Sequence, residues 1–181
     1  MIYQISYQTD KYDKYFQHNK QFTDELEHIV LKDNDINLFL KEFGYYEKFH
    51  SLKIHPSVKY AEKAILCSVI RLMFLREFGG MYIDADVYFT ENVLTIEEDF
   101  EEKYENKNIS LINNSLYFLK AIKNSKYIEH LLNLYLNSDF LYLDVTMLRD
   151  RQLVKYNNEI AIITHKTLQK YFNHVQITTN G

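Results

Sequence analysis

The longest apolar helical pattern in the chain opens at Pro56, runs to about Phe78, stops on Gly79-Gly80 and passes straight into the apolar run Met81-Tyr82-Ile83. Proline is favoured in the first turn of a helix and glycine just past its end, so both boundaries are marked. A helix that delivers the chain directly into a short buried strand is the unit from which α/β domains are assembled. The rest of the chain repeats the theme. Ile2 to Tyr7 reads as a first strand, Asp10 to Glu27 as a helix with aromatics at helical spacing, and His28 to Leu31 as a second strand. Asp33-Asn34-Asp35 caps a helix carrying Ile36, Leu38, Phe39, Leu40 and Phe43, and Gly44 ends it. Glu97 to Glu105 reads as a solvated acidic helix or loop and Ile109 to Ile112 as a strand. Leu116 to Leu136 reads as helical with a break near Asn124-Ser125, Ile160 to Ile163 as a strand, and Thr167 to Phe172 as a short helix. This alternation predicts an α/β domain with a largely parallel sheet, and the length predicts a single domain over residues 1–181.

Composition narrows the function. Hydrophobic residues at 46% and charged residues at 25% suit a soluble globular protein. A net charge of −4 gives no electrostatic reason to expect nucleic acid, and Lys and Arg form no basic block suited to a membrane surface. Cys67 stands alone, which excludes an intrachain disulfide and a two-Cys zinc site and leaves it as a small core residue. No stretch approaches the ~20 apolar residues of a transmembrane segment, and Met1-Ile2-Tyr3-Gln4 does not open a signal-peptide pattern. The expected compartment is therefore a reducing cytoplasm. The excess of Lys, Asn and Ile reads as an AT-rich coding bias, so that cytoplasm is expected to be a bacterium's or that of a virus-infected host.

Chemistry concentrates where the strand after Gly79-Gly80 ends, at Asp84-Ala85-Asp86. Ligands of open α/β sheets bind beyond the carboxyl ends of the strands. Residues two apart on an extended chain share a face, so the two carboxylates are expected to converge. Converging carboxylates repel unless a cation joins them, and hard divalent cations prefer oxygen ligands. Such an ion, Mn²⁺ or Mg²⁺, could bridge to a diphosphate. The paired glycines fit either a helix cap or a close approach to ligand. Arg71 shares a helical face with Ala64, Cys67, Ser68 and Leu75. It could offer a forked donor to phosphate or sugar hydroxyls, or pair structurally with a carboxylate.

Taken together, Arg71, Gly79, Gly80, Tyr82, Asp84 and Asp86 resemble the pattern of the DxD sugar-binding-region glycosyltransferases, a helix bearing Asp-x-x-Arg followed by Gly-Gly-x-Tyr-x-Asp-x-Asp. That group contains yeast-type initiating α-mannosyltransferases (glycosyltransferase family 32), and the segment is also similar to the catalytic domains of clostridial glucosylating toxins. Ile2 to Gln8 resembles the family's first strand, and Leu31 to Asp35 its second strand and following helix, so the likeness covers about residues 2–90. Ser68 stands where the family has the Asp of Asp-x-x-Arg, Tyr3 replaces its Pro and Tyr7 its His.

The resemblance implies a GT-A-type, Rossmann-like fold and a metal-dependent enzyme. The donor would be a UDP- or GDP-sugar, the acceptor a glycan, lipid-linked or protein hydroxyl, and the configuration retained. It implies that Asp86 contacts the metal directly and that Asp84 holds ribose, donor sugar or metal-bound water. Tyr82 would pack at the nucleotide site, with Arg71 on the donor sugar or diphosphate and Ser68 facing the donor pocket. Asn113 or Asn114 could reach the donor sugar, or could simply form a turn. His165 and His174 are candidates for a late metal or diphosphate contact, or surface or packing histidines, and Asp144 could act on an acceptor hydroxyl. Two other readings stand beside this one: a GT-A-fold binding or scaffold protein without turnover, for which Ser68 argues, and a different metal-dependent phosphoryl enzyme such as a nuclease or phosphatase.

Overall fold

The structure is a computed structural model that describes residues 1–23, 28–103, 110–113, 117–142 and 160–174. A central six-stranded sheet is built from β1 (Ile2–Ser6), β2 (His28–Lys32), β3 (Gly80–Ile83), β5 (Ser110–Asn113), β6 (Phe118–Ala121) and β7 (Ile160–Ile163), in the order β2-β1-β3-β6-β5-β7. β1 runs parallel to β2 and β3, and β5 parallel to β7; β6 alone runs antiparallel to its neighbours. The sheet is thus mostly parallel, as the alternating pattern predicts. A separate two-stranded ribbon pairs β4 (Val87–Phe89) with β8 (Phe172–His174).

The helices are α1 (Asp13–Asn19), α2 (Asp33–Glu42), α3 (Tyr46–His50), α4 (Glu62–Phe78), α5 (Val93–Lys103), α6 (Lys126–Leu136) and α7 (His165–Leu168). Two hydrophobic cores lie against the sheet, and the strand residues alternate between them. Tyr3, Ile5, Tyr82 and Leu119 enter the core that also holds buried residues of α2, α4 and α6. Ile2, Met81, Ile83 and Phe118 enter the other, with Ile96 and Phe100 of α5. This is the period of two that a pleated strand imposes. The unbroken run Val69 to Leu75 is buried on all sides of α4, which packs on β1, β3 and α6. A helix apolar all round is expected to be enclosed in this way.

Several elements differ from their sequence expectation. The helix predicted from Pro56 starts at Glu62, because Pro56–Ala61 form a 3-10 turn with Val58 out of helical geometry at φ −122°. Phe118–Ala121, read as helical, is β6, and the predicted break is real: the Ser125 hydroxyl accepts from Ile128 N–H and starts α6. The helix expected from Asp10 to Glu27 is shorter, since α1 gives way at Asn19 to a 3-10 turn over Lys20–Phe22. The acidic stretch belongs to an amphipathic helix, α5, whose Ile96 and Phe100, one turn apart, are buried. Phe172 leaves the predicted last helix and begins β8.

Gly79 and Gly80 have φ of +69° and +96°, and each touches backbone that a side chain would displace. A Cβ on Gly79 would lie 2.5 Å from the Lys123 nitrogen, and one on Gly80 would lie 2.8 Å from the Met1 carbonyl oxygen. Gly44 also has positive φ, at +73°, but open space around it. Gly79→Ala is therefore expected to destabilise by about 2–4 kcal/mol and Gly44→Ala by about 1 kcal/mol. Urea unfolding of the two variants measures the difference, and equal losses would show that the close approach of Lys123 carries no energy.

Candidate active site at the end of strand β3

α4 and β3 are successive in sequence and packed on one another, so they bring Arg71, Tyr82 and Asp84 together. Arg71 is only 6% exposed, and its Nη1 lies 3.7 Å from Asp84 Oδ1. Its guanidinium carbon sits 5.2 Å from the centroid of the Tyr82 ring, within reach of a cation–π contact. The Tyr82 hydroxyl donates to the same Asp84 oxygen at 2.8 Å. Burial, reinforced by the Asp84 charge, pushes the Tyr82 phenol well above its ordinary pKa, so it stays a donor. Of the two readings of Arg71, the structure makes the carboxylate pairing explicit, with Asp84 as partner.

The two aspartates do not sit on an extended strand, as the sequence suggests. β3 stops at Ile83, and Asp84 to Val87 form a turn closed by Val87 N–H donating to the Asp84 carbonyl at 3.2 Å. Asp84 N–H donates in turn to the Tyr117 carbonyl at 2.9 Å. The turn arises because β4 must leave the large sheet to pair with β8. Both aspartates remain partly exposed at the carboxyl end of β3.

A cavity of about 470 Å³ lies between the loop after β1 and the start of α4, lined among others by Tyr7, Thr9, Lys11, Tyr12, Lys63 and Cys67. Burial raises the Tyr12 phenol pKa, and the charges of Asp86 and Asp84 raise it further. The Cys67 thiol is pushed up to about 11, chiefly by burial, and senses both Arg71 and Asp84. A second, more open cleft at the ends of β1 and β2 is lined by Ser6, Gln8, Lys32 and Asp33. The second cleft lies at the carboxyl ends of β1 and β2, and β1 runs parallel to β3; Asp84 and Asp86 line neither cavity.

Ser68 is half-buried on α4, and its hydroxyl donates to the Ala64 carbonyl of its own helix at 3.0 Å. Gly79 and Gly80 stand at the opposite end of β3 from Asp84, where the protein's own backbone explains them. Asn113 closes β5 opposite Ile163, His165 opens α7, and His174 is the register partner of Val87, directly after the carboxylate turn. Asn114 and Asp144 lie outside the described residues.

Among the described residues, no group of three His, Cys, Asp or Glu could hold a metal ion. A pair of carboxylates still fits Mg²⁺ or Mn²⁺, because such ions are commonly bound by one or two carboxylates with substrate phosphates completing the shell. Asp84 and Asp86 offer that oxygen donor set.

Sequence reading missed a buried polar group behind the turn. Gln4 and Asn19 have no exposure and His28 8%, and the Gln4 side chain is hydrogen-bonded to both of the others. The signal was Gln4 itself, an amide in the middle of the strand Ile2–Ser6, which is buried at every position. Burial, with help from Lys20, lowers the His28 pKa to about 4.

No protein-family model matches the sequence, and no curated protein matches it in sequence. A likeness is found among solved structures. PaToxG glycosyltransferase aligns with a TM-score of 0.51 and 14% sequence identity, over 87% of this chain and 67% of that one. At this identity the likeness is one of fold: the mostly parallel α/β sheet and its helices adopt the fold of a glycosyltransferase.

Asp84→Ala would leave the buried Arg71 without its carboxylate, and the expected loss is about 2 kcal/mol. Asp86→Ala, on the turn itself, is expected to cost less than half of that, and denaturant unfolding compares the two. His28 supplies a pH dependence. Its folded pKa lies below the unfolded value of about 6.5, so its contribution is complete above pH 6.5 and is lost as pH falls towards about 4. The full extent is about 3 kcal/mol. Unfolding of the parent and of His28→Gln between pH 7.5 and 4.5 tests this, and parallel curves would remove His28 as the cause.

Proposed function

We propose that the chain is a glycosyltransferase that takes a UDP- or GDP-sugar into the cleft between the β1 loop and α4. It passes the sugar to a hydroxyl of a glycan, lipid-linked or protein acceptor, with retention of configuration. The observation that carries this reading is the Arg71–Tyr82–Asp84 cluster at the carboxyl end of β3, on a fold matched by a glycosyltransferase. Supporting it, the adjoining cavity combines tyrosines with Lys11 and Lys63, groups suited to a base and a diphosphate.

In this mechanism Asp86 would hold a divalent ion, and Asp84, steadied by Tyr82 and Arg71, would orient the donor beside it. Mn²⁺ or Mg²⁺ would supply charge stabilisation as the nucleoside diphosphate departs. Arg71 pairs with Asp84 and would add positive potential near the diphosphate. Tyr12 belongs to the cavity wall, where its ring could stack on the base of the donor. Asn113, at the end of β5, is the candidate contact to the donor sugar. Gly79 and Gly80 are left out of the donor pocket, because their neighbours are backbone at the far end of β3.

Ser68 favours a second reading, a scaffold that binds donor without turnover, since a neutral hydroxyl bonded within its own helix stands where the family has a carboxylate. One experiment separates the readings: thermal shift with a panel of UDP- and GDP-sugars and Mn²⁺, alongside assay of released nucleoside diphosphate. At ~100 times its Kd a donor is expected to add about 2.7 kcal/mol of stability. Asp86→Ala should remove the Mn²⁺-dependent part of that shift and remain folded, and Ser68→Asp should strengthen hexose donors by about tenfold. Binding without diphosphate release would favour the scaffold. No response to any donor would leave sugar transfer without support.

A further inference from the structure

Gln4 lies in the middle of β1, on the strand face that carries Ile2 into the second core. Its Nε2 donates to the Asp84 carbonyl at 2.9 Å and reaches the Val87 carbonyl at 3.5 Å. Its Oε1 accepts from Asn19 Nδ2 at 2.9 Å and from His28 Nε2 at 2.8 Å. Asn19 also donates to the Val87 carbonyl and accepts from Phe89 N–H, both at 2.9 Å. Side chains from β1 and α1 therefore meet the backbone at the two ends of the turn that carries Asp84 and Asp86, and His28 of β2 holds the Gln4 amide from behind.

The chemistry leaves this group one arrangement. Reversing the Gln4 amide would aim its oxygen at two carbonyls and its NH₂ at two donors. The hydrogens of Asn19 Nδ2 and His28 Nε2 select the orientation in which Gln4 can donate to Asp84. Filling a core does not require such a group. Buried amides and an imidazole carry a desolvation cost that apolar residues of the same size avoid. Here that cost falls at one turn, the one bearing the candidate metal ligands.

We propose that His28 and Asn19 are positioning residues which lock the Gln4 amide, and through it the Asp84–Val87 turn, in the geometry that presents both carboxylates to a divalent cation and diphosphate. The part concerning the cation rests on the donor-binding reading above; the part concerning the turn does not. Polar groups behind metal ligands typically change metal affinity 10–100-fold when removed.

The test compares the full chain with His28→Leu, His28→Gln and Asn19→Ala. His28→Leu removes the donor to Gln4, His28→Gln retains an N–H donor of similar reach, and Asn19→Ala removes the second donor. Two quantities are measured: amide hydrogen exchange at Asp84 and Val87 relative to Met81 and Tyr82 in β3, and Mn²⁺ affinity in the presence of UDP by electron paramagnetic resonance. In His28→Leu and Asn19→Ala the turn amides should exchange about tenfold faster and Mn²⁺ affinity fall about tenfold. His28→Gln should stay within about twofold of the parent in both. Turn amides that keep the parent's exchange rate in both donor-deleted variants would overturn the proposal, as would His28→Gln behaving like His28→Leu. If His28→Leu does not fold, Asn19→Ala and His28→Gln decide. A parent that fails to bind Mn²⁺ with UDP would overturn the donor-binding reading, while the exchange rates would still decide the role of His28 and Asn19.

Discussion

A guanidinium cannot shed its proton, so burying Arg71 beneath the end of β3 obliges the fold to bring a carboxylate to it. Asp84 meets that demand from the strand next to α4, and Tyr82 closes the cluster with its ring towards the cation and its hydroxyl on the carboxylate. The same pairing ties the middle of α4 to the end of β3. Neither element can slide without separating Arg71 from Asp84, and the surrounding run Val69 to Leu75 leaves no polar substitute within the helix. An ion pair behind the strand thus holds one of the two aspartates at the carboxyl end of β3.

The two ends of β3 serve different purposes. At its start, Gly79 and Gly80 let β3 lie against Met1 and the chain after β6, and nothing there points to a ligand. At its end, the chain leaves the large sheet in a turn whose carbonyls are held from behind by Gln4 and Asn19. Rigid packing at one end and a hydrogen-bonded turn at the other place the carboxylates on a scaffold with little freedom, the condition under which a site on a loop can hold its geometry.

Much of this was legible from the residue pattern. The parallel strands follow from periodicity, and the Arg71–Tyr82–Asp84 grouping was legible from the motif that carries the family resemblance. The misreadings share a cause, which is that local pattern does not report tertiary demand. Phe118 to Ala121 satisfies a helical period as well as a strand period, and only the gap between β3 and β5 selects the strand. α1 stops at Asn19 because the Asn19 side chain is used by β4 and β1, partners that spacing along the chain does not reveal. The aspartates sit on a turn because β4 pairs with β8, far along the chain. The glycine pair fits a helix cap or a close ligand approach equally in sequence, because a tight backbone approach looks the same whether its neighbour is a substrate or Lys123.

The β4–β8 pairing also orders events during synthesis. β4 follows the carboxylate turn directly, yet its partner, Phe172–His174, is among the last described residues to be made. On the ribosome, β1, β2, α4 and β3 are all available long before the strand that completes the ribbon beside the turn. Until then β4 has α1 as its early partner, through Asn19 and His18, and leaves open the edge that Phe172–His174 later pairs, the kind of edge on which nascent chains associate wrongly.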